Sequence, residues 1–360
     1  MRGSRVAIIG AGAGGASLAL RLARAGFDVT VIESQAFPRA KVCGEFISPA
    51  ATPDLESVLT PNELREAGAA RVRTLALELG DRQRTWNMPE PAWALSRRSL
   101  DVLLIEKAAA AGAHVLQPVR VASVEYNEDS ATVHFASRES IHTDLVLHAD
   151  GSGRFDPAGA TPKAKSLVGL KCHARPTSPV RGIRMRSARG VYCGAIGIED
   201  GLATFAMCAT PQALAAHKGD RDALLASVWP GFTPDQREGP WMTSAVARSR
   251  YTRPGHPRSF RVGNAAAAVD PVGGEGIGLA LWSVARLAEL LESETDPRVI
   301  HDRFAKLYRR RLRTRLPACR TAAEVLLRPR LVQALWPMLG VPSLTIRPWY
   351  ALTGKPVSAG

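Results

Sequence analysis

"IIGAGAGGASLALRLARAGFDVTVIE", residues 8–33, decides the fold of this 360-residue chain. The run "RVAIIG" that leads into it reads as a short buried strand. "ASLALRLARAG" then repeats apolar residues at helical spacing until Gly26 stops it, and "FDVTVIE" is a second strand. Strand, helix and strand make a βαβ unit, which belongs to a parallel sheet. Gly10, Gly12 and Gly15 fit G-x-G-x-x-G at the junction, with Ala13 and Gly14 inside the loop. Gly10 permits the tight turn, Gly12 lets the backbone approach a pyrophosphate, and Gly15 lets helix and strand pack closely. The helix start offers unpaired N–H groups and a positive dipole end to phosphate. Glu33, at the end of the second strand, can accept hydrogen bonds from a ribose, and an acid there disfavours a 2′-phosphate. A tight strand–helix turn without a ligand would explain the glycines but leaves Glu33 without a purpose.

Working outward, "SLDVLLIEKAAAAGAHVL" reads as a helix followed by a strand. "VRVASVEYNEDSATVHFA" alternates around Asn127-Glu128-Asp129 as a hairpin, and "DLVLHADGSGR" is a strand ending in a glycine loop. Between about 162 and 250 the pattern changes to short β-like pieces ("SLVGLKCHA", "RGVYCGAIGI", "LATFAMCA") and a helix near 211–228. "SFRVGNAAAAVDPVGGEGIGLALWSVARLAELLES" then returns to strand, glycine loop and long helix. The expected layout is a discontinuous nucleotide domain over 1–72, 93–160 and 255–296. A sheet-based substrate domain, 73–92 and 161–254, is inserted in it, and a basic helical region, 297–360, follows.

The formal charge of +14 favours an acidic partner or an Arg-rich solvated surface, the two readings standing level. Residues 298–330 hold eleven of the basic residues against Asp302 and Glu324, followed by an apolar, Trp- and Pro-bearing stretch. That composition suits a membrane-surface element or a basic helix packed by its apolar side on the nucleotide domain. No motif supports nucleic-acid binding. The five cysteines (43, 172, 193, 208, 319) are scattered, with no pairing suited to a disulfide framework or a metal, so a reducing, cytoplasmic setting is expected, with peripheral attachment at the inner membrane surface as the variant. The glycine spacing and Arg21 and Arg24 argue against reading residues 6–20 as a signal segment, and no apolar run reaches eighteen residues.

Three further stretches resemble the FAD-dependent oxidoreductases of the p-hydroxybenzoate hydroxylase type, a superfamily that includes geranylgeranyl reductases and flavin-dependent halogenases. "LSRRSLDVLL" (95–104) is similar to the family's Arg-x-x-Leu-Asp motif, which implies that Arg97 lies over the pyrophosphate and flavin side. "LHADGSGR" (147–154) is similar to its Asp-Gly motif, with Asp150 and Gly151. "RVGNAAAAVDPVGGEGIGLAL" (261–281) is similar to its Gly-Asp motif, with Asn264 in place of the ribityl-gripping acid; an amide still donates and accepts. The loop from Pro271 to Gly276 feeds a helix whose N–H groups can stabilise negative charge on a reduced flavin, with Gly274, Glu275, Gly276 and Ile277 as its contact residues. "KVCGEFISP" (41–49) and "GEGI" (274–277) resemble geranylgeranyl reductases more than aromatic hydroxylases. In that branch the loop reaches the flavin, so Cys43 would face the ring, Gly44 would border it and Glu45 would place a proton. Cys43 as a small buried hydrophobe and Glu45 as a capping or surface acid remain open. Ser34 and Val121 complete the expected FAD contacts.

The resemblance implies an α/β fold: a Rossmann-like (GR2-type) FAD-binding domain, discontinuous, an inserted mainly antiparallel sheet and a C-terminal helical tail. With no second GxGxxG, NAD(P)H is expected to bind transiently as reductant. The leading expectation is a monooxygenase acting through a flavin C4a-hydroperoxide on a small lipophilic or aromatic substrate, free or carrier-bound. The alternatives are a geranylgeranyl reductase-like enzyme acting on C=C bonds, with Cys43 or Glu45 assisting, and a non-redox flavoprotein scaffold. The halogenases' Trp-x-Trp-x-Ile-Pro signature is absent, and so is a clear copy of the reductases' aromatic substrate motif.

Overall fold

The computed structural model describes residues 3–151, 167–342 and 346–354. Its first sheet is parallel, built from β1 (Arg5–Ile9), β2 (Asp28–Ile32), β6 (His114–Leu116), β10 (Leu145–His148) and β16 (Ser259–Arg261), in the order β16-β10-β1-β2-β6. Period-two alternation sends the two faces of β1 to different partners. Val6 and Ile8 join the core under α1 (Ala13–Arg24), α4 (Arg97–Ala110) and α7 (Gly276–Ser293). Ala7 and Ile9 pack on a three-stranded antiparallel sheet, β7 (Val121–Tyr126), β8 (Ala131–Phe135) and β9 (Ile141–Thr143), through Val121, Val133 and Phe135. Asn127 N donates to Ser130 O at 2.9 Å and closes the expected hairpin. Helices on one face and a small sheet on the other bury the parallel strands on both sides.

The second sheet has eight strands: β3 (Phe46–Ile47), β4 (Ala70–Leu79), β5 (Arg82–Ala94), β11 (Val168–Ala174), β12 (Ile183–Ala188), β13 (Val191–Gly197), β14 (Ala203–Ala209) and β15 (Arg237–Ala245), in the order β15-β11-β14-β13-β12-β4-β5-β3. All pairs are antiparallel except β12 with β4. Its outer face is covered by α6 (Arg221–Val228), whose Leu224, Leu225 and Val228 pack on Phe205 and Val191. Short helices α2 (Thr52–Glu56) and α3 (Pro61–Glu66) link β3 to β4, and α5 (Pro211–Ala216) follows β14.

Two expectations change here. The substrate sheet reaches further towards the nucleotide side than 73–92, because Phe46 and Ile47 pair with Ala94 and Trp93. A two-residue strand shows no periodicity by which to find it. The helix expected near 211–228 is two helices, broken where Lys218 and Gly219 both adopt positive φ and Asp220 caps α6 by accepting from the Asp222 and Ala223 amides. The expected boundary at 160–161 and the end of the "LHADGSGR" motif, residues 152–154, lie outside the described residues.

The chain ends in α8 (Pro297–Leu326), α9 (Pro329–Leu339) and α10 (Ile346–Thr353). Ala323, Leu326, Val332 and Trp336 pack on Tyr192 and Cys208 of the second sheet, and Ile346 and Tyr350 pack on Trp86. The basic region is therefore part of the substrate side of the molecule as well as a neighbour of α7.

Candidate functional site

The glycine run of residues 10–15 bends at Gly10, whose φ of +96° suits no side chain. A Cβ on Gly15 would lie 1.8 Å from the Gly10 carbonyl oxygen, so α1 sits on the turn as closely as backbone allows. Gly15 is therefore a packing residue, whereas Gly10, Gly12, Ala13 and Gly14 line the cavity described below. Gly12, at the N-cap, has no side chain to satisfy the first-turn N–H groups of α1.

Three cations crowd this turn. A Cβ on Gly12 would stand 3.1 Å from Arg97 Nη2 and 3.7 Å from Arg39 Nη2. A Cβ on Gly151 would stand 2.9 Å from Lys41 Nζ. Asp101, fully buried one turn along α4, holds Arg97 by two bonds of 2.8 and 2.7 Å, which fixes the guanidinium plane. Burial, then the charges of Arg97 and Arg39, push Lys41 down to about 8. Such a cluster asks for an anion, and a helix start beside it suits a pyrophosphate.

Glu33 ends β2 inside this cluster. Burial pushes its carboxyl up, but the Arg39 charge and the N–H groups of Ala11 and Gln35 outweigh that and hold it below the ordinary range. Those bonds measure 3.0 Å to Ala11 N, 3.1 Å to Gln35 N and 3.0 Å to Arg39. An ionised, fixed acceptor at a strand end fits a diol. The residues present therefore fit the adenosine diphosphate half of FAD.

From this cradle one continuous cavity of about 1460 Å³ runs to the inner face of the eight-stranded sheet. It exceeds the roughly 300–1,000 Å³ of a pocket for one small ligand, which leaves room for a second molecule. Ser34, Cys43, Gly44, Val121, Asp150, Asn264, Gly274, Gly276 and Ile277 all line it. Gly274 has φ +62° and a Cβ there would lie 2.5 Å from the Phe46 ring, so the loop before α7 needs glycine at that point. The far lobe is apolar, walled by Leu77, Trp86, Met185 and Tyr192 of the sheet and by Pro317 and Val325 of α8. Among the described lining residues the only carboxylates are Glu33 and Asp150, both at the nucleotide end.

Two assignments are corrected. Glu45 does not reach the cavity: it is fully buried, at φ +57°. Its carboxylate accepts from the Arg97 amide at 2.7 Å, from His173 at 2.8 Å, and from Lys171 and Thr204. Burial pushes the carboxyl up, but the His173 hydrogen bond and the Lys171 charge overcome it and hold it at about 2. A group so ionised and so fully engaged has no proton to place; it staples the 41–47 loop to α4 and to the substrate sheet. Glu275 is likewise buried and faces Arg315 of α8 at 3.6 Å, so only the backbone of its turn borders the cavity side. Cys43 is half-buried, lines the cavity, and its sulfur accepts from the Glu45 amide at 3.3 Å while facing Arg97.

Sequence reasoning passed over Arg39, Lys41, Lys171, His173 and Thr204. Lys171 carried a signal, a lysine inside the apolar run "SLVGLKCHA", and it is fully buried. Asp270 was also missed: it caps the turn before α7 through Val272 N at 3.2 Å and accepts from Tyr192 Oη at 2.7 Å and Arg248 Nε at 2.8 Å.

Residues 4–154 match the FAD binding domain family. Over 92% of its length the chain is 25% identical to the menaquinone reductase of Mycolicibacterium smegmatis, covering 87% of that protein. It is 26% identical to the kynurenine 3-monooxygenase of Xanthomonas oryzae pv. oryzae, over 80% of this chain and 72% of the other. PqsL of P. aeruginosa, solved with 2-aminobenzoylacetate, superposes with a TM-score of 0.79 at 18% identity over 93% of this chain and 99% of its own, a likeness of fold.

Proposed function

We propose that this chain, whose residues 4–154 match the FAD binding domain family, is an FAD-dependent oxidoreductase of the p-hydroxybenzoate hydroxylase type, and within it a monooxygenase of a lipophilic, phenolic or isoprenoid-like substrate. The overall reaction is RH + O₂ + NAD(P)H + H⁺ → ROH + H₂O + NAD(P)⁺. One oxygen atom enters a C–H bond, the other leaves as water, and the nicotinamide supplies two electrons. When bound, FAD supplies the redox chemistry by taking hydride from NAD(P)H and passing electrons to O₂.

The observation that carries this reading is the unbroken cavity from the cationic cradle to an acid-free apolar lobe. Arg39, Lys41 and Arg97 neutralise the pyrophosphate, and Glu33 holds the ribose. Asn264, which lines the cavity, would hold the ribityl chain. The N-terminus of α7 offers its positive dipole end to charge that develops beside it. The lobe itself excludes water and orients the substrate by shape, which suits oxygen transfer, since a water-poor site protects a reactive oxygen species from hydrolysis. Among the described lining residues no carboxylic acid stands in the lobe to protonate a carbon.

A second reading, reduction of a C=C bond in a polyprenyl compound, is favoured by one observation: the similarity to menaquinone reductase runs along nearly the whole chain. Of the two residues expected to assist there, Cys43 still lines the cavity, whereas Glu45 does not. Oxygen uptake separates the two. With FAD-loaded enzyme and NAD(P)H, a long-chain alkylphenol that raises O₂ consumption and gives hydroxylated product supports the monooxygenase. Anaerobic saturation of a polyprenyl quinone side chain, with no substrate-linked O₂ uptake, replaces it by the reductase.

A further inference from the structure

Five large hydrophobic side chains are exposed among the described residues, and all five lie between 331 and 352: Leu331, Leu335, Met338, Val341 and Leu352, each 38–52% exposed. Three of them, Leu331, Leu335 and Met338, follow at i, i+4 and i+7 and so form one face of α9. The adjoining side of the helix, Val332 and Trp336, is already buried on the substrate sheet. The apolar side of α9 is thus wider than the sheet covers, and its outer part has large exposed side chains. Leu335 and Leu352 also line the cavity, so the patch is continuous with the mouth of the apolar lobe.

The segment that carries the patch is charged with one sign. Between Val325 and Gly354 the sequence has no acidic residue, and Arg330 and Arg347 are exposed beside Leu331 and Pro348. Exposed Arg313 of α8 lines the same mouth. Scattered exposed leucines need no explanation, but a contiguous apolar patch with a cationic rim around a cavity opening has a specific match. We infer that α9 and the Trp349–Leu352 end of α10 seat on an anionic lipid bilayer, with Leu335, Met338 and Leu352 in the acyl boundary and Arg313, Arg330 and Arg347 among the headgroups. No helix among the described residues is long and apolar enough to cross a membrane, so the contact is peripheral. The docking stands whatever the chemistry of the flavin; it opens the apolar lobe to the bilayer, so that a lipophilic molecule enters without crossing water.

The test is co-sedimentation of the FAD-loaded full chain with vesicles of phosphatidylcholine alone and of phosphatidylcholine with phosphatidylglycerol. Binding to the anionic vesicles is expected at low salt, weakened at about 0.5 M salt where the Debye length has shrunk to a few ångströms. Reversing Arg330 and Arg347 to Glu weakens it by roughly fivefold or more per residue. Leu331→Asp with Met338→Asp abolishes it while flavin absorbance and the unfolding profile stay at the parent values, since both side chains are exposed and neither lines the cavity. The inference is overturned if the parent chain leaves anionic vesicles in the supernatant, if the aspartate pair binds as well as the parent, or if neutral vesicles bind equally. It is also overturned if the parent is a dimer that the aspartate pair makes monomeric, because the patch then serves a second copy. Capture by an acidic carrier protein with no vesicle binding overturns it in the same way.

Discussion

Glu45→Ala removes a fully buried carboxylate on which the 41–47 loop, the start of α4, β11 and β14 converge. Lys171, fully buried as well, would keep only the Lys41 carbonyl oxygen at 3.3 Å as a partner among the described residues. Two routes give the size of the effect. Breaking a buried ion pair by removing one partner costs about 3–5 kcal/mol, because the other charge is left stranded. Separately, the gap between about 2 in the folded chain and the ordinary 4.5 amounts to about 3 kcal/mol, at ~1.36 kcal/mol per pH unit. The folded value lies below the unfolded one, so this stabilisation is complete above about pH 4.5 and is lost as pH falls towards 2. Urea unfolding followed by tryptophan fluorescence reads both. At pH 7 the variant loses about 3 kcal/mol or more, and between pH 4.5 and 2 its stability changes much less than the parent's. Glu45→Gln combined with Lys171→Met restores most of the loss, since a neutral pair of similar volume strands no charge. A loss under about 1 kcal/mol at pH 7, the size of an exposed pair, or an acid limb parallel to the parent's, refutes the staple.

Two further outcomes follow from the cradle. Lys41 is pushed down to about 8, and an anion beside it favours its charged form, so FAD affinity measured by flavin fluorescence is expected to be level below pH 8 and to fall about tenfold per pH unit above it. Lys41→Met binds more weakly and without that slope; an unchanged slope removes Lys41 from the cofactor contact. Gly15→Ala forces a Cβ to within 1.8 Å of the Gly10 carbonyl oxygen and must move α1, with an expected loss of about 3 kcal/mol or more or no soluble protein, whereas Gly44→Ala, with nothing within 4 Å, stays within ~0.5 kcal/mol. Equal stability of the two variants would contradict the packing described at the turn.

Much of the nucleotide half was readable from the chain alone, for a local reason. Strand and helix periods show in "RVAIIG" and "ASLALRLARAG", and the glycines at 10, 12 and 15 answer to backbone sterics within one turn, so neither needs a distant partner. Arg97, Asp150 and the 271–277 loop carried motifs of similar compactness. Glu45 is the counter-example: Lys171, His173 and Thr204 lie 126 to 159 residues further along, and they meet it only because β11 and β14 are neighbours in the second sheet. No spacing in "KVCGEF" distinguishes a proton donor from a staple; burial and partners do. The same holds for the tail. Its charge and tryptophans show in the sequence, but which face of α9 is buried and which is left bare depends on how that helix packs on a sheet assembled from strands between residues 46 and 245.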